Sequence, residues 1–185
     1  MRALVLTIAI LLTHNAIGAN ANKKSRKTNS IPPTKTVSRY VDSNRGFSIT
    51  LPTGWQQDKD ALGTAIMAIS KKESESDAFR ENINVVVETL QGTMSSKDYF
   101  EASQNAIKRV FQDFKLEKTG SAKLSGKDFY WSVFSHRTPK NRAKVLQYVA
   151  VNGLRAYIVT CSSAPEKFDR FRPVFESSVK TFKFE

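Results

Sequence analysis

The stretch "GFSITLPTGW", residues 46–55, decides how the rest of the chain is read. Phe47, Ile49 and Leu51 alternate with Ser48 and Thr50, the period of a half-buried strand. "LPTG" then puts proline second and glycine fourth, as a type I turn prefers, and delivers Trp55 to the edge of a core. The same pattern predicts a domain that starts near Tyr40, with further strands at 63–70 ("GTAIMAIS") and 82–90 ("NINVVVETL"). Between them the charges of "KKESESDAFRE" (71–81) mark an exposed loop.

Beyond Leu90 the apolar period changes from 2 to 3.6. In residues 95–114 Tyr99, Ala102, Ala106, Val110 and Phe114, with Ile107 and Phe111 beside them, form one stripe, and Ser95 three residues before Asp98 is a capping signature. Four strands are then expected at 115–124, 127–137, 143–151 and 154–162, turning at Ser125-Gly126, at "PKNR" and at Asn152-Gly153. A closing helix carries Phe168, Phe171, Phe175, Val179 and Phe182 at spacings of three and four, with Ser163 as its cap and Pro165 in its first turn. Pro173 lacks an amide hydrogen and should kink or restart it. Two helices with aromatic stripes need a large apolar surface to cover them. The predicted fold is therefore α+β, a central antiparallel sheet of six to seven strands flanked by helices.

The N-terminal residues read as an export signal. Arg2 is followed by the apolar run "ALVLTIAILL" (3–12), and Ala19 and Ala21 are small residues at cleavage-defining positions. Thr13, His14 and Asn15 interrupt the run before it reaches the length of a spanning helix. The expected organisation is a signal peptide at 1–21, a basic linker at 22–40 and one domain at 41–185, exported to the periplasm or medium of a bacterium. The single cysteine, Cys161, lies far from the cleavage site, so a lipoprotein anchor is excluded, and it can form no intrachain disulfide.

The formal net charge of +12 is unevenly spread. Residues 22–40 hold six Lys or Arg and no carboxylate, whereas residues 41–185 hold 22 against 17, a net +5. Lys23, Lys24, Arg26 and Lys27 form an electrostatic tether candidate for anionic lipid or an acidic partner. A second basic group, Arg137, Lys140, Arg142 and Lys144, sits on the predicted hairpin "RTPKNRAK" beside aromatic strands. Basic charge next to aromatics suits single-stranded nucleic acid, but export removes that opportunity, and the aromatics are needed under the helices. Anionic lipid, polysaccharide or an acidic protein fits this hairpin better.

No catalytic set is legible. His136 needs a nucleophile and an orienting acid, and Cys161 alternates with Val159 and Tyr157 as a small apolar residue of a strand. "DKDALG" (58–63) lacks the remaining ligands of a calcium loop, and "LSGKDF" (124–129) has no upstream glycine at phosphate-loop spacing.

Six segments in order, "GFSITLPTGW", "ENINVVVETL", "DYFEASQNAIKRVF", "LSGKDF", "AYIVTCSSAPEKFDRF" and "RPVFESSVKTFKF", resemble the PsbP-like domain and its bacterial DcrB-like relatives over about residues 40–185. The resemblance implies an antiparallel sheet flanked by helices and a typically non-catalytic protein. Plant and cyanobacterial members of that group are extrinsic proteins of photosystem II, a related fold binds the small GTPase Ran, and some bacterial relatives are chaperones of secreted effectors. The expectation is a monomeric binding or accessory protein with no cofactor, metal or nucleic acid, whose partner is a protein or anionic envelope component. Peripheral membrane contact would run through the basic tail. The alternatives are an extracytoplasmic hydrolase assembled only in three dimensions around His136 or Cys161, and a scaffold anchored by an uncleaved N-terminal segment.

Overall fold

The computed structural model describes residues 38–185; the expected signal segment and nearly all of the basic linker lie outside them. The elements in order are β1 (Ser38–Asp42), β2 (Phe47–Leu51), β3 (Gln56–Lys59), β4 (Ile66–Ile69), β5 (Asn82–Thr89), α1 (Ser96–Val110), β6 (Lys115–Leu124), β7 (Lys127–Arg137), β8 (Arg142–Asn152), β9 (Arg155–Ser163), α2 (Phe168–Val179) and β10 (Lys183–Phe184). Seven strands form one antiparallel sheet in the order β3-β4-β5-β9-β8-β7-β6, and three form a smaller one, β1-β2-β10. The chain is thus α+β with a central antiparallel sheet, as the patterns predict, and it carries a second sheet that they do not.

Period-2 alternation explains how one sheet serves two helices. Val85, Val133, Tyr148, Val159 and Cys161 join Phe168, Phe175 and Val179 of α2 and Phe47, Ile49 and Leu51 of β2 in the largest apolar cluster. Their chain neighbours Val86, Val149 and Ile158 face the other way and pack with Tyr99 of α1, while Phe134 and Val145 pack with Ile107. So α1 covers one face, and α2 with the small sheet covers the other. Trp55 is half-buried at the rim of the second layer, its ring 6.3 Å from that of Phe171, the edge role expected of it.

Turn chemistry matches the sequence closely. Leu124 pairs with Lys127 across Ser125 (φ 50°) and Gly126 (φ 76°), the two left-handed residues of a type I′ hairpin. At the next tight hairpin Asn152 itself pairs with Arg155, so the central residues are Gly153 (φ 60°) and Leu154, one position later than the Asn-Gly pair suggests. Ser95 caps α1 as expected, its hydroxyl accepting from the Asp98 amide at 3.0 Å. Gly120 is required by contact: a Cβ there would stand 2.5 Å from Cζ2 of Trp131.

Several expectations are corrected. β1 begins at Ser38, inside the stretch assigned to the linker. The second predicted strand shrinks to Ile66–Ile69, because Ala61–Gly63 form a 3-10 turn with Asp60 and Leu62 both at φ 53°. β3, "QQDK", has no apolar alternation to betray it. Ser163 ends β9 rather than capping a helix; a 3-10 turn at Pro165–Lys167 comes first, and α2 starts at Phe168. Pro173 does not restart that helix, which runs through it without the bond its amide would have given to Asp169. The helix ends at Val179, and Phe182 lies beyond it, leading into β10.

Candidate binding surface

One end of the large sheet gathers the charged features read from the sequence. The β7–β8 hairpin is closed by Thr138 and Asn141: the Thr138 hydroxyl donates to the Asn141 carbonyl at 2.9 Å and accepts from its amide at 2.9 Å. Its cations are answered by carboxylates from the segment after α1. Asp113, held in the left-handed region (φ 52°), lies 2.7 Å from a guanidinium nitrogen of Arg137 and 3.6 Å from one of Arg142. Glu117 meets Lys144 at 2.8 Å, and the Lys144 ammonium also sits 4.8 Å from the centre of the Phe168 ring. Of the four predicted site residues, Lys140 alone has no ion pair among the described residues. The sequence-distant partners Asp113 and Glu117 were invisible to spacing arguments.

The hairpin forms one wall of an open groove of about 630 Å³. The 71–81 loop supplies Glu73, Ser76, Asp77 and Phe79, and the approach to α2 supplies Pro165 and Lys167. Asn141 ties the walls together by donating to the Ala78 carbonyl at 3.4 Å. Lys167 pins the loop: its ammonium lies 2.7 Å from Asp77, 3.2 Å from Glu73 and 3.7 Å from Glu81. The Lys167 hydrogen bond, helped by that charge, holds the Asp77 carboxyl below its ordinary range, and Arg170, then Lys167, does the same for Glu73. Glu81 is fully buried; one oxygen accepts from Ser70 at 2.9 Å, and the other has no hydrogen-bond partner. The "exposed" loop is therefore anchored by carboxylates directed inward.

The residues weighed for catalysis do not converge. Cys161 is completely buried on the α2 face, and burial pushes its thiol far above the ordinary value. His136 is buried on the opposite face, stacked 3.9 Å from the centre of Phe111, with Nδ1 3.0 Å from the Arg137 carbonyl. Asp60 of the "DKDALG" turn is taken up by Arg45 at 2.6 Å, and Gly126 of "LSGKDF" belongs to the type I′ hairpin. Among the described residues no group of three or more His, Cys, Asp or Glu is placed to hold a metal, and no helix is long and apolar enough to cross a membrane.

His136 makes the stability pH-dependent. Burial lowers its pKa from the ordinary 6.5, assisted by the charge of Arg142 and opposed by the Arg137 carbonyl. Well above pH 6.5 the ring is neutral whether the chain is folded or not; as the pH falls through 6.5 the unfolded chain takes the proton first, so stability falls. His136→Phe should flatten that slope in denaturant titrations repeated across this window. A slope identical to wild type would rule out His136 as its source.

Comparison with known proteins follows the same architecture. A model of the PsbP family matches residues 35–184. A search of curated proteins finds no match. Among solved structures the chain is similar to cyanobacterial PsbP (CyanoP) from Synechocystis sp. PCC 6803, with a TM-score of 0.61 at 16% identity, covering 86% of this chain and 98% of that one. It is similar to LpqN, involved in cell envelope biogenesis of Mycobacterium tuberculosis, with a TM-score of 0.61 at 9% identity over 80% of this chain and 84% of LpqN. The Saccharomyces cerevisiae Ran-binding protein Mog1p aligns with a TM-score of 0.56 at 7% identity, over 82% of this chain and 96% of Mog1p. At these identities the likeness is one of fold. The family model spans both sheets and both helices, and the chain belongs to the PsbP family.

Proposed function

We propose that this protein works by binding, without turnover, as an exported accessory protein of the PsbP type, and that the β7–β8 hairpin with its adjoining groove is the surface that holds the partner. The observation that carries this reading is the junction of hairpin and groove. Asn141 and Arg142 belong to both, Lys140 stands exposed beside them with no ion pair among the described residues, and Asp113, Glu117 and Lys167 fix the surrounding walls. Rigid walls lower the entropy lost on association, which is where a pre-formed binding site gains over a mobile one. The generally non-catalytic character of the family supports the same view, as does the separation of Cys161 from His136 on opposite faces of the sheet. The partner is a protein or an anionic envelope component.

Affinity capture from the native envelope or medium tests it. Lys140→Glu reverses a charge that makes no ion pair among the described residues, so recovery of the partner should fall several-fold while the unfolding midpoint stays put. Recovery equal to wild type would remove the hairpin from the binding surface.

A further inference from the structure

The domain's positive charge is concentrated in one corner. Residues 108–118 and 137–144 together hold eight Lys or Arg against the two carboxylates Asp113 and Glu117, a net +6; the remainder of 41–185 holds 14 against 15. The fold joins these two segments. The Arg137 amide donates to the Gln112 carbonyl at 2.9 Å, Lys115 pairs with Ser135 across the β6–β7 ladder, and Asp113 and Glu117 reach the hairpin. Lys108, Arg109, Lys115 and Lys118 are exposed and, like Lys140, have no ion pair among the described residues.

Two apolar side chains stand exposed at this corner. Leu116, opposite Phe134, is on the α1 side of the edge strand, while Lys115 and Lys118, opposite Ser135 and Val133, extend from its other side. Val110 at the end of α1 is 49% exposed and Leu116 on β6 is 46% exposed, and they flank the turn that carries Asp113. β6 is an edge strand of the large sheet, and among the described residues no strand pairs with its outer side.

We propose that this edge lies against an anionic phospholipid surface, the unpaired cations meeting headgroup phosphates while Val110 and Leu116 enter the interface. This rests on the reading of the hairpin as a binding surface and names the component it meets. The choice of lipid over an acidic protein follows from the cations that remain free. Arg137 and Arg142, whose planar forks suit fixed carboxylates, are committed to Asp113, and four of the five unpaired cations are lysines, compact charges on flexible stems that suit a fluid array of headgroups. Apolar side chains beside basic ones are the pattern of interfacial attachment.

Co-sedimentation of the full chain with phosphatidylcholine vesicles, with and without about one-third phosphatidylglycerol, provides the test. Wild-type protein should sediment only with the anionic vesicles and be released by about 0.5 M salt. Replacing Lys108, Arg109, Lys115 and Lys118 with Gln should weaken partition at least about tenfold. Val110→Ser with Leu116→Ser should weaken it about threefold with every charge retained. The basic tail is present in all these proteins, so a difference between them reports on the corner alone. Equal partition of wild type and the four-Gln variant overturns the proposal, and so does indifference to the two serines. Failure to sediment, combined with loss of a captured acidic protein by the four-Gln variant, overturns the lipid assignment and leaves the binding reading intact. If Lys140→Glu also leaves capture unchanged, both fall.

Discussion

Phe182→Ala should lower stability by about 3–5 kcal/mol, the largest effect of any single substitution considered. Phe182 is 1% exposed and lies where the layers meet. Its ring stacks on Phe47 of the small sheet at 5.6 Å and 4°, and meets Phe129 and Tyr157 of the large sheet edge-on at 5.4 and 5.8 Å. Truncation removes contacts to both sheets at once and leaves a cavity that neither can close alone, because β2 is held by β1 on one side and β10 on the other. Thermal and denaturant unfolding would measure this, with Phe182→Leu as a milder companion at roughly half the cost. A Phe182→Ala loss under about 1 kcal/mol would show that the two sheets are stabilised independently.

The second large effect is expected at Lys167. Lys167→Met keeps most of the side-chain length but leaves Asp77 and Glu81, whose side chains are 4% and 0% exposed, without their cation. Removing one partner from a buried charge cluster typically costs about 3–5 kcal/mol, and the 20% exposure of Lys167 argues for the lower end. The acid limb should change as well. Asp77 and Glu73 titrate below their unfolded values, so the stability they confer is complete above the ordinary carboxylate range and is lost as the pH falls through their lowered pKa values. In Lys167→Met the Asp77 part of that acid-dependent loss should vanish, because the hydrogen bond and charge that depress it are gone, while Glu73 keeps its hydrogen bond from Arg170. Parallel wild-type and variant curves displaced by a constant amount would contradict this account.

Residue patterns revealed the elements that bury a face over several turns or strand periods. The α1 stripe, the capping Ser95 and the alternation through β7, β8 and β9 each repeat often enough to leave little choice. The short polar elements had no such redundancy. β3 is four residues without an apolar position, and β10 is two residues that resemble the end of a helix until their pairing with Ser48 and Phe47 is seen. Pro173 does not break the helix in two because Phe168, Phe175 and Val179 anchor it on both sides of the one lost hydrogen bond. The site was legible only by halves. Arg137, Lys140, Arg142 and Lys144 stand out as a basic run, but Asp113 and Glu117 lie a β6–β7 hairpin away from them in the chain, and their effect is to leave Lys140 as the one of the four without an ion pair among the described residues. The charge of the 71–81 loop likewise suggested solvent, whereas Lys167, far along the chain, draws Asp77 and Glu81 inward.

The order in which β2 acquires its neighbours sets a kinetic hazard. β1 is a few residues away and can pair with β2 early, but β10 arrives from the far end of the domain, as the Ser48–Glu185 hydrogen bond spanning 137 positions illustrates. Such distant pairings are slow, since a long stretch of chain must be organised before they form. Until then "FSITL" presents an open, strongly apolar strand edge, the kind of surface that recruits a second chain. A cut that removes Lys183 and Phe184 would strip the Phe184 ring from Phe129, Tyr157 and Phe182 and make that exposure permanent, leaving the domain prone to self-association.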